Sequence, residues 1–406
     1  MNTTSISQRR VLPRRVGILV LPLALACSSI NDPLDASCIA AAEAMPSASD
    51  TLAAVQWNVL ARDFVAKYRT DPSARPYALL SAAQYAATLS VRETVAATCP
   101  SVRSAVRTAS SDVLTYLYPA ESLTIRSRAL AQLAADSVHG ITIESRVAGE
   151  TVGRIAAAPV LARARVDGVS AVWTGTVPTA PGSWRSSGAP ATPMLGQMLP
   201  WILTTGSEFR PAAPPAFGSA AFDQALTEVK SIASTRTSAQ SALALQWALG
   251  GGTFRTQGYW NLVASDLVAG ARQSEYGSAH TLALLNLAMN DASIACFDAK
   301  YTYYLLRPSQ ADPAITLPLS LPNHPSYPSS HSCTSGAAAE VLGTVFPAEA
   351  TRLRATSSDI SLSRLYGGIH YRFDLDTGSA LGARVARRAI ERDQSAGGLL
   401  GVLKGP

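Results

Sequence analysis

The sequence has little charge of either sign and few histidines or cysteines. Its 406 residues carry a formal net charge of +6, with five histidines and five cysteines. Four of the positive charges belong to Arg9, Arg10, Arg14 and Arg15, within a first stretch of 26 residues that holds no acidic residue, so the remainder carries only +2. Proteins that bind nucleic acid usually present a strongly basic face. We therefore expect no nucleic-acid partner.

Long apolar runs are missing after the first 27 residues, so no later segment reaches the roughly 18 apolar residues that a membrane span needs. The start combines arginines, an apolar stretch from Val16 and small residues at Ala24 and Ala26, which is typical of an export signal over residues 1–27. Two interpretations of its end stay open: cleavage before Cys27, or attachment of lipid to Cys27 as a membrane tether. We expect an exported protein that is periplasmic, secreted, or held in the outer envelope as a lipoprotein.

The few cysteines fit an oxidising compartment. If Cys27 carries lipid, four cysteines remain, an even number that can form two disulfides. Disulfides are rare in the reducing cytosol, so this count agrees with export. Proximity in the sequence favours the pairs Cys38–Cys99 and Cys296–Cys333.

Helical periodicity dominates the rest of the chain. The hydrophobic content of 47% is enough for one large domain or two closely packed halves. Segments such as TLAAVQWNVLARDFVAKY repeat apolar residues at intervals of three and four. We predict an all-α fold of packed helical bundles. An N-terminal half would span residues 50–217 and end in a long Pro/Gly-rich loop, and a C-terminal half would span residues 218–395.

One short stretch, HPSYPSSHS at residues 324–332, holds two of the five histidines. A loop is expected up to Pro328 and a helix directly after it, with Ser329 as its N-cap or first-turn residue. The free backbone N–H groups and the positive end of the helix dipole would offer a seat for an anion, beside the Ser329 hydroxyl and His331. Taken alone, the pattern also fits a helix cap beside a structural histidine.

Two flanking segments bring further charged residues. In KYTYYLLRP, Lys300 and Arg307 are seven residues apart, which places both cations on one face of a helix. In SRLYGGIHYRFD, Asp374 follows His370 by four residues, a helical spacing at which the carboxylate can hold the imidazole tautomer, and Arg364 precedes both. Taken alone, the cations fit a solvated edge, and the carboxylate fits a salt bridge to nearby arginines.

Together the three segments supply the groups that suit a tetrahedral oxyanion. Three cations would neutralise its charge, and N–H and hydroxyl groups would fix its equatorial oxygens. One histidine could bond to the central atom while the other moves a proton at the apical oxygen. No Asp/Glu cluster for Mg²⁺ and no Cys/His set for Zn²⁺ accompanies them in the sequence. His139 and His280 lie outside these segments, and we interpret both as structural.

The three segments resemble the signature motifs of the vanadium-dependent haloperoxidase and type 2 phosphatidic acid phosphatase superfamily. The motifs are Lys, six residues, Arg-Pro; then Pro-Ser-Gly-His; then Ser-Arg, five residues, His, three residues, Asp. Only Ser330 departs, in place of the glycine, and its added bulk is expected to change affinity or geometry. The resemblance covers residues 280–392, with the core motifs at 297–374, and implies the all-α fold of that superfamily. Residues 50–280 agree only in helical character and length.

The resemblance also implies a role for each motif residue. The residues that would bind vanadate or phosphate are Lys300, Arg307, Ser329, Ser330 and Arg364. His370 would bond to the central atom and would thus hold the vanadate cofactor, His331 would be the acid–base residue, and Asp374 would orient His370.

Two reactions stay open within the superfamily. The peroxidase branch uses vanadate, hydrogen peroxide and a halide, whereas the phosphatase branch needs no cofactor and forms a phosphohistidine from a phosphate ester. His324 matches a histidine of the bromoperoxidases, and Phe297 stands where chloroperoxidases carry a tryptophan. Both are candidates for a halide site, although a turn-capping histidine and a core phenylalanine would explain them equally.

These features favour an exported vanadium-dependent haloperoxidase-like enzyme. Lipid phosphatases of the superfamily commonly span the membrane several times, and this chain has no later span. The alternative is a phosphomonoesterase on the same scaffold. A third interpretation, an inactive envelope binding protein, is disfavoured because every motif cation and histidine is present.

Overall fold

The computed structural model describes Met1 and residues 36–44, 52–94, 99–138, 140–395 and 398–399. The predicted export signal after Met1, including Cys27, and His139 lie outside these residues. Within them the regular structure is helical, apart from one isolated β-bridge between Ser183 and Leu305, which confirms the all-α prediction. The α-helices are α1 (Ala36–Glu43), α2 (Ala53–Tyr68), α3 (Ala74–Arg92), α4 (Val102–Leu117), α5 (Ser122–Val138), α6 (Ile143–Ala164), α7 (Ala220–Thr235), α8 (Ser238–Gln246), α9 (Arg255–Gly270), α10 (Glu275–Tyr303), α11 (Pro308–Ala311), α12 (Ser330–Val345), α13 (Ala350–Tyr366) and α14 (Arg372–Gln394).

The N-terminal and C-terminal helices share one hydrophobic core. A single cluster of buried side chains contains Trp57 and Leu80 from α2 and α3 together with Leu285 and Val385 from α10 and α14. The described residues from Ala36 onward belong to one compact unit. The boundary that we predict between residues 217 and 218 falls in the loop before α7 and stays a prediction. Among the described residues, no helix combines the length and hydropathy needed to cross a membrane.

Helix α10 runs through the interior of this unit. Every residue from Thr281 to Lys300 is buried, and the helix packs against α3, α9, α12 and α14. A helix that is surrounded on all sides needs apolar or small residues around its whole circumference, as LALLNLAMN at the centre of α10 provides. Its C-terminal end therefore delivers Lys300 to the inside of the protein.

Close packing of α12 on α14 brings two helix starts together. A Cβ atom at Gly382 would lie 2.0 Å from the carbonyl oxygen of Cys333, so only glycine permits this approach. As a result the backbone N–H of Ser329, just before α12, donates to the carbonyl oxygen of Asp374 in the first turn of α14 at 2.9 Å. Two segments that lie 45 residues apart in sequence are thus fixed side by side at the site.

The predicted helical relation between Lys300 and Arg307 is wrong. Helix α10 ends at Tyr303, and Tyr304 takes the left-handed conformation with φ 48°. The long loop then supplies the hydrogen bonds that a further helical turn would have made, since Trp184 N–H donates to the Tyr304 carbonyl at 2.6 Å. Arg307 consequently lies in an extended segment beyond the helix, with φ −78° and ψ 155°.

The predicted placement of His370 and Asp374 on one helix face is also wrong. Helix α13 ends at Tyr366, and the chain turns at Gly368, whose φ of +71° is accessible mainly to glycine. His370 therefore stands in the connection before α14, and Asp374 stands in the first turn of that helix. The two side chains still meet, but across a helix start instead of along one helix face.

The cysteines form one of the two predicted disulfides. Cys38 in α1 is bonded to Cys99 before α4, as predicted. Cys296 and Cys333 are buried free thiols, so the second predicted pair is wrong. Nearness in sequence had favoured that pair, yet the sulfur of Cys296 is directed to the carbonyl oxygen of Pro328, at 3.7 Å, and forms no disulfide with Cys333.

Candidate active site

The start of α12 forms one wall of the site. Ser329 is the N-cap, as predicted, and its hydroxyl oxygen accepts a hydrogen bond from the Ser332 N–H at 3.4 Å. The helix's own backbone bonds begin with the Cys333 N–H, which donates to the Ser329 carbonyl at 2.9 Å. The N–H groups of Ser330 and His331 precede that bond, which leaves them for an anion at the positive end of the helix dipole.

Lys300 lies fully buried at the end of α10. Its Nζ donates to the carbonyl oxygens of Pro325 and Ser326, each at 2.8 Å. Burial, followed by the nearby charge of Arg307, lowers the pKa of Lys300 to about 7. The ammonium is therefore poised to gain or lose its proton near neutral pH.

Arg307 is fully buried and joins the loop at residues 324–326 to the connection before α14. Its Nε donates to the His324 carbonyl at 3.1 Å, and its Nη1 donates to the Ile369 carbonyl at 2.7 Å. The same Nη1 lies 2.9 Å from Nε2 of His370. Burial lowers the pKa of Arg307 to about 10, so the guanidinium stays charged at neutral pH.

These contacts decide the tautomer of His370. A guanidinium can only donate, so Nε2 of His370 accepts from Arg307 and must carry a lone pair. We therefore assign the ring hydrogen to Nδ1, which lies 2.7 Å from Oδ2 of Asp374. Burial and then the charge of Arg307 hold the pKa of His370 well below its ordinary value. The neutral ring thus presents a nucleophilic nitrogen, as a phosphoryl acceptor or a metal ligand requires.

Asp374 is buried, and burial raises its pKa to about 6. Its Oδ2 also accepts from the Tyr371 N–H at 3.1 Å and from the Ser326 hydroxyl at 2.5 Å. Sequence reasoning missed Ser326, although it belongs to the same serine-rich stretch. Ser326 links both halves of the site, because its hydroxyl binds Asp374 and its carbonyl binds Lys300.

Carbonyl groups at the end of α8 hold the two remaining motif residues. Nε2 of His331 lies 3.3 Å from the Ala248 carbonyl oxygen, and Nη2 of Arg364 donates to the Ala244 carbonyl at 2.5 Å. Burial and then the charge of Arg364 lower the pKa of His331 to about 3. Because a carbonyl only accepts, the hydrogen of His331 lies on Nε2 and its Nδ1 is the free proton acceptor. These partners could not be predicted from residue identity, since any residue can supply a carbonyl.

A cavity of about 300 Å³ opens above the motif residues. His370, His331 and Ser330 line it directly, whereas Lys300, Arg307, Ser329, Arg364 and Asp374 lie behind its wall. The structure thus brings all eight predicted residues to one place.

The two candidates for a halide site also line this cavity. The rings of Phe297 and His324 are 5.2 Å apart between centroids, and Nδ1 of His324 lies 3.1 Å from Nη2 of Arg307. Phe297 is 8% exposed, so it belongs to the core and faces the cavity at the same time. Their role in halide binding stays a prediction.

The donor set fits a tetrahedral oxyanion such as vanadate or phosphate. Three buried cations, the first-turn N–H groups of α12 and the Ser329 hydroxyl are all donors. Ser330 also lines the cavity, and its hydroxyl, which lies near the Cys296 thiol, is a further donor at the cavity wall. Nε2 of His370 is an acceptor among these donors: its lone pair accepts from Nη1 of Arg307 at 2.9 Å, and it could bond to vanadium or phosphorus once that guanidinium binds an oxygen of the anion instead.

The comparisons with known proteins agree with this geometry. Residues 279–394 match the family model described as the PAP2 superfamily, and this range contains all three motifs. The motif residues within this range form the site that we call the PAP2 site. The motifs had predicted that superfamily, and the match confirms it. No curated protein matches the chain.

Several solved structures share the fold of the chain. A bacterial vanadium-dependent iodoperoxidase matches with a TM-score of 0.72 and 19% identity, over 84% of this chain and 95% of its own. A bacterial vanadium-dependent chloroperoxidase matches in its apo form with a TM-score of 0.65 and 14% identity, over 81% of this chain and 94% of its own. A bacterial vanadium-dependent chloroperoxidase in its holo form matches with a TM-score of 0.61 and 15% identity, over 89% of this chain and 97% of its own. The fold therefore extends well beyond the PAP2 range.

Anion binding by the PAP2 site should weaken as pH rises above about 7. Lys300 then loses its proton, whereas Asp374, with a pKa of about 6, is already ionised and both arginines, with pKa values of about 10, remain charged. Sulfate keeps its charge in this range, so its dissociation constant should rise by up to about tenfold per pH unit between pH 7.5 and 9. Isothermal titration calorimetry at several pH values measures this.

The matched variants identify the titrating group. Lys300→Met should bind sulfate weakly at every pH. Cys296→Ser should keep the wild-type increase of the sulfate dissociation constant with pH. The second variant is needed because burial opposes ionisation of Cys296, but hydrogen bonding to Cys333 and the charge of Lys300 outweigh it and lower the pKa of the thiol. Equal sulfate affinity at pH 6.5 and pH 9 would contradict the assignment.

Ser326→Ala should weaken binding of orthovanadate to the PAP2 site by about tenfold or more, because partners that orient a ligating histidine typically contribute 10–100-fold to affinity. The change removes a hydrogen bond from the carboxylate that holds His370. Ser332→Ala is the matched control, since Ser332 is equally buried and its hydroxyl has no partner in the described residues. Titration calorimetry with orthovanadate compares the two, and equal affinities would show that Ser326 does not position His370.

Proposed function

We propose that the protein is a vanadium-dependent haloperoxidase-like enzyme that binds vanadate in this site and oxidises a halide with hydrogen peroxide. One observation carries the proposal. The chain shares its fold with vanadium-dependent peroxidases over 81–89% of its length, including N-terminal helices that the PAP2 match at residues 279–394 does not cover. The site supplies the matching chemistry, a neutral histidine nitrogen surrounded by buried donors.

Each motif residue would have a different role in binding vanadate. His370 would hold vanadate through Nε2, with Asp374 fixing the ring from the other side. Lys300, Arg307 and Arg364 would neutralise its negative charge, and the N–H and hydroxyl groups at the start of α12 would orient its oxygens. Bound vanadate would supply a Lewis-acidic centre that activates hydrogen peroxide toward attack by halide.

His331 is suited to take up a proton in the cavity. Nδ1 of the neutral ring is free because Nε2 faces the Ala248 carbonyl, and the negative charge of a bound oxyanion would raise the pKa of His331 from about 3 toward the range in which Nδ1 can take up a proton. Nδ1 would accept the proton that hydrogen peroxide loses on entering the site. The ring would return this proton to water when the oxidised halide leaves.

A phosphomonoesterase is the second candidate, and the nucleophilic Nε2 of His370 is the observation that favours it. In that reaction His331 would have to donate a proton to the leaving group. The negative charge of a bound oxyanion would raise the pKa of His331 from about 3, so proton donation is available to this reaction as well. The complete set of motif residues argues against an inactive binding protein.

We also propose that the protein is exported, with Cys27 as a site for a lipid tether. The disulfide between Cys38 and Cys99 supports an oxidising compartment. An exported peroxidase would meet hydrogen peroxide and halide outside the cytosol.

Purified protein should brominate a phenolic dye with bromide and hydrogen peroxide only after orthovanadate has been added. The change His370→Ala should reduce this rate to that of the sample without vanadate, because it removes the nitrogen that holds the cofactor. His331→Ala should lower the rate by about 10²–10⁴-fold through loss of proton transfer. Dye bromination is followed by absorbance, in parallel with hydrolysis of a chromogenic phosphate ester.

His280→Ala is the control variant, since His280 pairs with Asp393 at 2.7 Å through its side chain and is not among the residues that line the cavity. It should retain full bromination. Ester hydrolysis that vanadate inhibits, without any bromination, would assign the protein to the phosphatase branch instead.

A further inference from the structure

A second cleft, of about 190 Å³, adjoins the cavity of the active site. The two share four lining residues, Asp71, Pro72, Thr192 and Leu195. These shared residues place the cleft next to the cavity that His370 lines. A molecule seated in the cleft therefore reaches toward the reacting groups.

The chemistry of the cleft suits a neutral aromatic molecule. Trp173, Met194 and Met198 line it, and indole and thioether groups make favourable contacts with aromatic rings. Among the described residues that line it, Asp71 alone is ionisable, and its Oδ2 pairs with Nη2 of Arg255 at 2.6 Å. A cavity of about 150 Å³ can hold benzene, so this volume accommodates one substituted ring.

Buried carboxylates hold the walls of the cleft in place. Asp167 is 5% exposed, and its side chain accepts from Nε of Arg75 at 2.6 Å and from the Val169 N–H at 3.1 Å. Asp291 accepts the backbone N–H groups of residues 201–203, which follow the lining residue Met198 in the chain, between 2.6 and 3.0 Å. Ligand sites are usually formed before the ligand arrives, and this cleft meets that condition.

Thr192 stands at the junction of cleft and cavity in a strained conformation. Its φ of 48° is rare for a β-branched residue and persists only where neighbours enforce it. The preceding residue, Ala191, is fixed on both sides, because its N–H donates to the Asn323 carbonyl at 2.8 Å and its carbonyl accepts from the Tyr301 hydroxyl at 2.7 Å. Such strain clusters at functional sites, and here it places a hydroxyl on the wall that both cavities share.

We propose that this cleft binds the organic acceptor of the reaction, a neutral phenol of a single ring. The ring would lie against Trp173, Met194 and Met198, with its hydroxyl near Thr192 and its reactive carbon toward the active-site cavity. The proposal rests on the proposed function, because the acceptor is the molecule that the oxidised halide attacks. Hypohalous acid would replace one ring hydrogen: a carbon–halogen bond forms as the oxygen–halogen bond breaks and releases hydroxide, and the carbon–hydrogen bond breaks and releases a proton that combines with the hydroxide as water. The halogen is reduced and the ring is oxidised.

Thymol, a neutral phenol with one ring, is a suitable probe. Titration calorimetry of the full-length protein with thymol should show binding that Trp173→Ala weakens by about tenfold or more. Val172→Ala is the matched control, since Val172 is the chain neighbour of Trp173 but is 80% exposed and does not line the cleft. It should bind thymol like the wild type. Circular dichroism confirms that both variants are folded.

Kinetic measurements test acceptor binding in the cleft separately from the proposed oxidation of halide. Oxidation of iodide to triiodide needs no organic acceptor, so Trp173→Ala should leave its rate unchanged while KM for thymol in halogenation rises about tenfold at constant kcat. Two results would overturn the proposed acceptor site while leaving the proposed peroxidase function standing, each together with normal triiodide formation. One is equal thymol affinity in both variants, and the other is no thymol binding at all. Thymol binding that depends on Trp173 without any halide oxidation would support an aromatic site and overturn the acceptor role.

Discussion

Three buried cations around a single buried carboxylate are the constraint on which this structure depends. Lys300, Arg307 and Arg364 are each at most 1% exposed, and Asp374 is the carboxylate that faces the first two. Burying charge without full compensation is costly, and the lowered pKa of each cation reflects that cost. Backbone carbonyls from several loops offset part of it. A tetrahedral anion that binds only the native state would offset more and would stabilise the fold as well.

The architecture follows from the need to collect those carbonyls. Helix α10 carries Lys300 into the interior, and the glycine contact between α12 and α14 sets the two helix starts side by side. The loops between helices then supply acceptors that no helix interior could offer, because helical carbonyls are already bonded to their own helix. The Pro/Gly-rich loop at residues 169–217 serves the site twice. It replaces the last turn of α10 and forms part of the wall of the second cleft.

Sequence reasoning located the reactive side chains but misjudged the backbone between them. The N-cap at Ser329 was predictable because proline followed by serine marks a helix start. Lys300 and Arg307 were assigned to one helix, since their spacing of seven fits two turns and nothing local revealed that the distant loop at Trp184 would take over the hydrogen bonds. The carbonyl partners, such as those of Ala244 and Ala248, could not be predicted, because a backbone acceptor leaves no signature in residue identity.

The central claim is that His370 offers a lone pair at Nε2 to an anion held by buried cations. NMR spectroscopy of protein labelled with ¹⁵N in histidine tests it most directly, with His370→Ala to assign the signals. The account predicts a neutral His370 ring with its hydrogen on Nδ1, and a change confined mainly to the Nε2 resonance when orthovanadate is added. A hydrogen on Nε2, on both nitrogens, or an Nε2 signal that orthovanadate leaves unchanged would contradict the account.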